Sequence, residues 1–448
     1  MRNVINILCI LCFTASSFAQ KNLSLDEAIK IALHRNTTLQ KAENNLNVSE
    51  GSVKVAYGNL LPSLNANGSF NWNRSEDKGG YINVGSTVIK IPPSTTESRS
   101  YSASVSSNWT LFDGLSNFST LSQSKDNLES ARLQLENLKQ SIVFQTITLY
   151  YAVINAQQLM KVQEDNVKWN KRNLETIIER NKLGAVTIAD VYSQQVKEGN
   201  AELSLIQAKN SYETAKSNLL SYLALNVFDN YTFADSLTAS EKNILESKLA
   251  EDYSNLSALV STALENRADY KSAQFDLKSA EEGINIARGG HLPRLTNFIS
   301  YSLRSNELKN LLDSRTYSIG LTLSLPIFSG FRISNNVQSA EVGVDNTKLA
   351  LSDLERTIKQ NIQKTYLDLQ AAEKSLEVNR TNVIAAEQNR KVQEERYALG
   401  SSTLLDVLTA NSDYTTARTN YISAQFSYIQ LSKQLKYYIG ALNYKKYE

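Results

Sequence analysis

The sequence predicts a mainly α-helical protein with a small β part, in which one structural unit occurs twice. The 448 residues include only 5 prolines and 17 glycines, so few positions interrupt long helices. Residues 25–62 match residues 256–293 at a constant offset of 231, and residues 112–222 match residues 328–438 at a constant offset of 216. Each copy also contains two stretches in which apolar and polar residues alternate, as they do in β-strands.

The composition argues against several classes of function. Lysine and arginine number 47 and acidic residues 45, and this balance argues against electrostatic binding of nucleic acid. The 2 cysteines lie in the first 20 residues, and the 2 histidines, His34 and His291, stand in unrelated contexts. We therefore expect no metal site, no cofactor and no enzyme active site. The charged cluster at 161–182 is interpreted as a solvated helix face.

Residues 1–19 have the pattern of a secretory signal peptide. Arg2 precedes an apolar run, and small residues stand three places and one place before the predicted cleavage site, which follows Ala19. Lipid attachment at Cys12 is the less favoured alternative, because Leu11 stands where lipoprotein processing requires a small residue. No later segment has 18 consecutive apolar residues, so the sequence predicts no transmembrane helix.

The first repeat is predicted to span residues 20–225. Pro62 ends its first helix, and no proline or glycine interrupts the chain between Leu115 and Asn181. The predicted elements are a helix at 25–60, strands at 63–74 and 100–112, a long helix at 115–181, a tip turn and a return helix at 188–223.

The second repeat is predicted to span residues 256–442, and residues 443–448 form a tail. Its predicted elements are a helix at 256–290, strands at 295–304 and 316–328, a long helix at 331–397, a tip turn and a return helix at 404–439. The loop between the strands is longer in the first copy, at 75–99, than in the second, at 305–315. Residues 226–255 join the repeats and are expected to form a small belt around the helices.

The predicted strands have the length of tilted outer-membrane strands, which is about 9–11 residues. A soluble sandwich is the alternative, but four strands are too few to close a sheet. Open sheet edges are not tolerated in lipid, so strands that enter the membrane require several chains. Five aromatic residues are expected at the membrane interfaces: Trp72, Tyr101, Trp109, Tyr301 and Tyr317.

The long helices carry apolar residues every seven positions, which predicts coiled-coil packing. In the first copy this heptad includes Leu121, Leu128, Leu135 and Ile142. A second apolar stripe indicates neighbours on both sides, as in a closed wall of helices. A helix of this length would run roughly 100 Å at about 1.5 Å per residue.

The exported, doubled helix–hairpin–helix plan resembles the TolC family of outer-membrane channel proteins. The most similar segments of the two repeats are ERNKLGAVTIADV at 179–191 and ERYALGSSTLLDV at 395–407. The resemblance implies a homotrimer, with a twelve-stranded barrel in the outer membrane and a helical tunnel that extends into the periplasm. It also implies a passive conduit for efflux or type I secretion, with outer-membrane lipid around the barrel. A periplasmic adaptor and an inner-membrane transporter of the RND or ABC type would be the partners. The alternative is an exported periplasmic coiled-coil scaffold without channel activity.

The resemblance also implies functional residues at the two tips. Adaptor contact is expected at Leu183, Gly184, Thr187, Asp190 and Val191, and at Leu399, Gly400, Thr403, Asp406 and Val407.

A gate is implied at the same tips, where an aspartate of the family links to a tyrosine and an arginine. Asp190 and Tyr397 match this pattern, but Ser402 stands at the arginine position. Asp406 matches the first of two aspartate rings, and Thr409 stands at the second. The alternative for Asp190 and Asp406 is that they cap the return helices, and both roles are compatible.

Overall fold

The computed structural model describes residues 21–234 and 238–447, and the predicted signal peptide and its cleavage site lie outside these ranges. The described chain divides into two compact units. A helical unit contains residues 21–44, 133–234, 238–271 and 353–447, and a strand unit contains residues 45–132 and 272–352. Each unit takes segments from both predicted repeats, so the repeats are not separate compact domains.

Helices make up most of the described chain, as the sequence predicts. The helices are, in chain order, α1 (Leu25–Arg35), α2 (Thr37–Gly58), α3 (Ser116–Lys182), α4 (Ile188–Tyr222), α5 (Ala239–Glu246), α6 (Leu249–Asp252), α7 (Leu256–Asn266), α8 (Ala268–Gly289), α9 (Arg332–Ala398) and α10 (Leu404–Tyr438). The strands are β1 (Lys21–Asn22), β2 (Ser63–Asp77), β3 (Gly80–Val84), β4 (Thr87–Ile91), β5 (Ser94–Phe112), β6 (Tyr231–Thr232), β7 (Arg294–Ser305) and β8 (Arg315–Ser324). None of the described helices is both long and apolar enough to cross a membrane.

The helices of the two copies have matching lengths. The long helices α3 and α9 each contain 67 residues, and the return helices α4 and α10 each contain 35 residues. This agreement follows from the constant offset between the copies over this part of the chain.

The first helix of the first copy is broken at Asn36, so the predicted single helix at 25–60 is wrong. The backbone of Asn36 is extended, with a ψ of 117°. Its side-chain Oδ1 accepts hydrogen bonds from the backbone N–H groups of Thr38 (2.9 Å) and Leu39 (3.2 Å). Asn36 therefore caps the start of α2. The helical spacing of apolar residues continues through Asn36, so the sequence pattern did not predict the break.

The corresponding helix of the second copy is broken at Arg267, so the predicted single helix at 256–290 is also wrong. Arg267 is extended as well, with a ψ of 123°. Its guanidinium donates to the carbonyl oxygen of Tyr438 (3.0 Å) and forms an ion pair with Asp269 (2.5 Å). The two breaks lie at equivalent positions, but different side chains stabilise them.

The loop predicted at 75–99 contains regular structure. Strand β2 continues to Asp77, β5 begins at Ser94, and β3 and β4 form a separate antiparallel hairpin between them. Gly79, with a φ of +70°, and the Pro92–Pro93 pair separate this hairpin from the long strands. The extra strand residues are polar on both faces, so they lack the alternation that identified the rest of each strand.

Strand β8 ends at Ser324, whereas the alternation predicted a strand at 316–328. Its last pairing partner is Arg294, the first residue of β7. Pro326 follows two residues later and cannot donate a backbone hydrogen bond to a sheet. The predicted strand extended to residue 328 because the residues after Ser324 remain apolar. These residues, which are Leu325, Ile327 and Phe328, lie outside the strand.

The four long strands form one antiparallel sheet in the order β2–β5–β7–β8. The register places Phe70 opposite Tyr101, with ring centroids 4.8 Å apart, and Tyr301 opposite Tyr317, at 4.9 Å. The predicted apolar positions therefore share one face of the sheet. Within residues 21–234 and 238–447, β2 and β8 each pair with a single long strand, which leaves one edge of each without a partner.

The predicted interface aromatics all lie in this sheet. Trp72 and Tyr317 are exposed in the single chain, and Tyr101 and Tyr301 are half-buried. The indole N–H of Trp109 donates to the carbonyl oxygen of Leu60 at 2.9 Å, which holds β5 to the segment after α2. Their position at a membrane interface stays a prediction.

The linker at 226–255 is attached to α3 and α10 by hydrogen bonds of two tyrosines. In the first half, the hydroxyl of Tyr151 donates to Glu241 at 2.8 Å, and burial raises the pKa of Tyr151. In the second half, the hydroxyl of Tyr428 donates to the carbonyl of Ser247 (2.7 Å) and accepts from the N–H of Leu249 (3.2 Å). Burial likewise raises the pKa of Tyr428, to about 12.

Substitution of Tyr428 by phenylalanine should loosen the linker. The change leaves the carbonyl of Ser247 and the N–H of Leu249 without this partner, at a cost of about 1–3 kcal/mol. We expect faster cleavage near residues 247–252 in limited proteolysis followed by mass spectrometry. Tyr437→Phe is the matched control, because the Tyr437 ring stacks on Phe144 of α3 at 4.7 Å and the change likewise removes one tyrosine hydroxyl from α10. Equal cleavage of the two variants would contradict this role of the Tyr428 hydroxyl.

Candidate functional site

The two helix–turn–helix tips have the same backbone geometry. After α3, Gly184 has a φ of +71°, its N–H donates to the carbonyl of Asn181 (2.9 Å), and Ala185 donates to Arg180 (2.9 Å). After α9, Gly400 has a φ of +74° and makes the corresponding hydrogen bonds. This is the Schellman arrangement, whose left-handed residue favours glycine. The two Leu-Gly sequences therefore specify two equivalent helix ends.

Each return helix begins with a threonine and an aspartate that cap it together. The hydroxyl of Thr187 accepts from the N–H of Asp190 (3.2 Å), and the carboxylate of Asp190 accepts from the N–H of Thr187 (2.9 Å). Thr403 and Asp406 repeat these distances. The hydrogen bond from the Thr403 N–H lowers the pKa of Asp406. The helix-cap alternative considered for both aspartates is therefore present in the structure.

The predicted tip residues divide into an exposed and a buried set. The side chains of Leu183 and Leu399 are exposed to solvent, at 83% and 84%. Val191 and Val407 are buried instead. Val191 packs with residues of both helical hairpins in one cluster, whose other buried members are Ile177, Leu404 and Leu408. The two tips are thus packed together, and their leucines project into solvent.

Among the described residues of a single chain, no hydrogen bond joins Asp190 to Tyr397, and the predicted link between them stays a prediction. The Asp190 carboxylate caps α4, and the Tyr397 ring lies against the guanidinium of Arg180. Burial raises the pKa of Tyr397. Ser402, at the family's arginine position, donates to the carbonyl of Gln393 at 3.4 Å. A gating role for these residues stays a prediction.

Arg180 is a tip residue that the sequence reasoning missed. Its guanidinium lies 4.6 Å from the centre of the Tyr397 ring and donates to the Tyr397 carbonyl at 3.4 Å. It therefore connects the first tip to the second, where the family pattern would have placed an arginine at Ser402. The sequence feature that could have identified Arg180 is the Glu-Arg pair that precedes each Leu-Gly, at 179–180 and 395–396. The other such arginine, Arg396, donates to the carbonyl of Ser401 in its own turn (3.0 Å).

A second polar connection lies further along the same helices. The indole N–H of Trp169 donates to Glu394 at 2.7 Å, and Arg418 pairs with Asp165 at 3.1 Å. These contacts join α3 to α9 and α10. Most charged residues of 161–182, Asp165 among them, are nevertheless exposed, which agrees with the interpretation of this segment as a solvated helix face.

The remaining predicted gate residues, Asp406 and Thr409, are exposed on α10. Across the described ranges, no group of three or more histidine, cysteine, aspartate or glutamate side chains could hold a metal ion. The chemistry available at the tips is therefore that of exposed leucines, capped helix ends and single carboxylates.

Comparison with known proteins identifies the family. The model of the family described as outer membrane efflux protein matches residues 28–225 and 259–441. The outer membrane protein TolC of Salmonella enteritidis is 22% identical over 457 residues, which cover 99% of this chain and 87% of that protein. The outer membrane efflux protein BepC of Brucella suis is 22% identical over 393 residues, covering 87% of this chain and 79% of that protein.

Solved structures share the fold. A membrane protein from Pseudomonas aeruginosa aligns with a TM-score of 0.79 at 18% identity, over 93% of this chain and 92% of that one. The outer membrane protein VceC from Vibrio cholerae aligns with a TM-score of 0.77 at 18% identity, over 93% and 96%. The family match confirms the predicted outer-membrane location and a channel protein rather than an enzyme. The chain belongs to the outer membrane efflux protein family, as the resemblance to TolC predicted.

Proposed function

We infer that this chain forms, as a homotrimer, the outer-membrane channel of a tripartite efflux or type I secretion system. It is a passive conduit from the periplasm to the outside, opened at its periplasmic tip by an adaptor protein that also contacts an inner-membrane transporter. The observation that carries this proposal is the combination of a four-stranded sheet with two free edges and two matching helical tips.

The free edges support assembly of three chains. An edge strand exposes unpaired N–H and C=O groups, and each such group costs several kcal/mol in a hydrocarbon environment. The β2 edge of one chain can pair with the β8 edge of the next chain, and a closed ring removes every edge. Three chains with four strands each give a barrel of twelve strands, in which the shared apolar face contacts lipid.

The mass of the purified protein in detergent tests this assembly. We expect three copies of the chain in each detergent-solubilised particle, measured by light scattering with the detergent contribution subtracted. A monomer or dimer that stays in solution without detergent would favour the coiled-coil scaffold instead.

The exposed leucines support adaptor contact at the tips. Leu183 and Leu399 project from rigid, capped turns, so they can bury apolar surface against a partner without first becoming ordered. Each leucine would contribute about 1.5–3 kcal/mol if fully buried on binding.

Replacement of both tip leucines by aspartate should prevent adaptor binding while the channel still assembles. We expect Leu183→Asp/Leu399→Asp to lose export activity in cells and to lose cross-linking to the adaptor. Leu312→Asp changes a leucine that is also exposed (62%) but lies in the loop between β7 and β8, and it serves as the control. Normal export by the tip variant would show that these leucines are not needed for adaptor contact.

The contact between Arg180 and Tyr397 supports a role in holding the tips closed. Arg180→Gln removes the guanidinium from the Tyr397 ring and carbonyl, so we expect a higher basal conductance in planar bilayers. Tyr397→Phe is the companion variant, because it keeps the ring beside the guanidinium and so separates the contribution of the ring from that of the hydroxyl. Equal conductance of Arg180→Gln and the unaltered protein would exclude this contact as part of the gate.

A threefold ring of Asp406 should bind cations at the channel opening. In the proposed trimer, Asp406→Asn removes three charges, and we expect weaker block of conductance by divalent cations. The pKa of Asp406 is below its ordinary value, so block in the unaltered channel should persist to a lower pH than an ordinary aspartate would allow. Unchanged block in the variant would leave Asp406 with its capping role alone.

A further inference from the structure

A polar cavity of about 510 Å³ lies in the helical unit between α3, α9 and α10. This volume is within the range of small-molecule sites, which is about 300–1,000 Å³. Four cationic and two acidic side chains line it, so its lining carries a net formal charge of +2. The charged lining residues are Lys168, Arg172, Arg390, Arg418, Asp165 and Glu394.

Arg390 is partly buried, and its only ion pair within the described residues is a long one, with Glu394. Its side chain is only 20% exposed, and its buried Nε has no hydrogen-bond partner in the part of the chain that the structure describes. The nearest carboxylate oxygen, on Glu394, is 3.7 Å from that Nε, and Nη1 reaches the Asn411 side chain only at 3.5 Å. A guanidinium offers five donors, so most of its hydrogen-bonding capacity is unused.

The guanidinium groups of Arg390 and Arg418 both lie beside the aromatic ring of Tyr414. The Cζ atom of Arg390 is 4.1 Å from the centre of the Tyr414 ring, and that of Arg418 is 5.7 Å from it. Arg418 already pairs with Asp165, and the carboxylate of Glu394 already accepts from Trp169. Both acidic groups of the lining therefore already have another partner. The charge of Arg390 is balanced by the long contact with Glu394 and by Glu387, which itself pairs with Lys391 at 2.8 Å.

We propose that this cavity binds the oxyanion group of a small molecule, a carboxylate or a phosphate, through Arg390 and Arg418. Planar guanidinium groups match the geometry of both anions with paired hydrogen bonds. The exposed side chains of Lys168 and Arg172 add positive charge at the opening of the cavity. The site does not depend on the channel function, and its failure would leave the proposed channel unaffected.

Trp169 supplies a direct readout of binding. It lines the cavity, whereas Trp72 and Trp109, the other 2 of the 3 tryptophans, lie in strands of the other unit. A Trp72→Phe/Trp109→Phe protein in detergent therefore reports the cavity by fluorescence. It should be titrated with inorganic phosphate and with succinate, each against chloride at constant ionic strength. A saturable response to phosphate alone assigns a phosphate ligand, and a response to succinate alone assigns a carboxylate ligand.

Substitutions in this reporter protein test the assignment in two directions. Arg390→Gln should weaken binding about tenfold or more, because it removes a charged donor. Asp165→Asn should strengthen binding, because it releases Arg418 from its internal partner. Lys171→Gln is the control and should leave affinity unchanged. Lys171 lies on α3, as Lys168 and Arg172 do, but it is outside the cavity and pairs with Glu202 of α4 at 2.8 Å.

The proposal is overturned by the absence of a saturable Trp169 response to both anions. It is also overturned if Lys171→Gln weakens binding as much as Arg390→Gln, because the effect would then be one of overall charge. If Arg390→Gln fails to fold, the opposite change expected for Asp165→Asn still decides, and an unchanged or lower affinity there contradicts the site.

Discussion

Every part of this fold depends on giving backbone N–H and C=O groups partners where the chain stops being regular. Long helices and paired strands satisfy these groups internally, so the backbone groups that still need partners lie at helix ends and sheet edges. The tips meet it with Gly184 and Gly400 at the helix ends and with threonine–aspartate pairs at the following helix starts. The linker meets it with Tyr428, and the sheet leaves two edges that a single chain cannot satisfy.

The same constraint makes the proposed binding of cations by Asp406 compatible with its role as a helix cap. A capping carboxylate is held by backbone and hydroxyl donors, which fixes its position and, at Asp406, favours its charged form. A charge that is fixed by local structure is available to a cation without reorganisation. In this view capping and ion binding are not competing interpretations of Asp406, because the first prepares the group for the second.

Interactions that span a few residues could be predicted from the sequence, whereas distant ones could not. The Gly184 turn and the Thr187–Asp190 cap are complete within a dozen residues, and both copies repeat them. Arg180 and Tyr397 are 217 positions apart, and Trp169 and Glu394 are 225 apart. No spacing rule connects such pairs. The polar ends of β2 and β5 were missed for another reason, since strands with polar residues on both faces show no alternation.

The two breaks at Asn36 and Arg267 show how the copies have diverged. At the first break, the side-chain amide of Asn36 caps the helix that follows. At the equivalent break in the second copy, Arg267 forms an ion pair and donates to a carbonyl that is distant in sequence. The bend has therefore been kept while the residue that makes it has been exchanged. The two copies therefore share the position of the helix break but not the residue type at that position. In other duplicated helical proteins, such breaks should be sought by aligning the copies on each other rather than by looking for a shared residue.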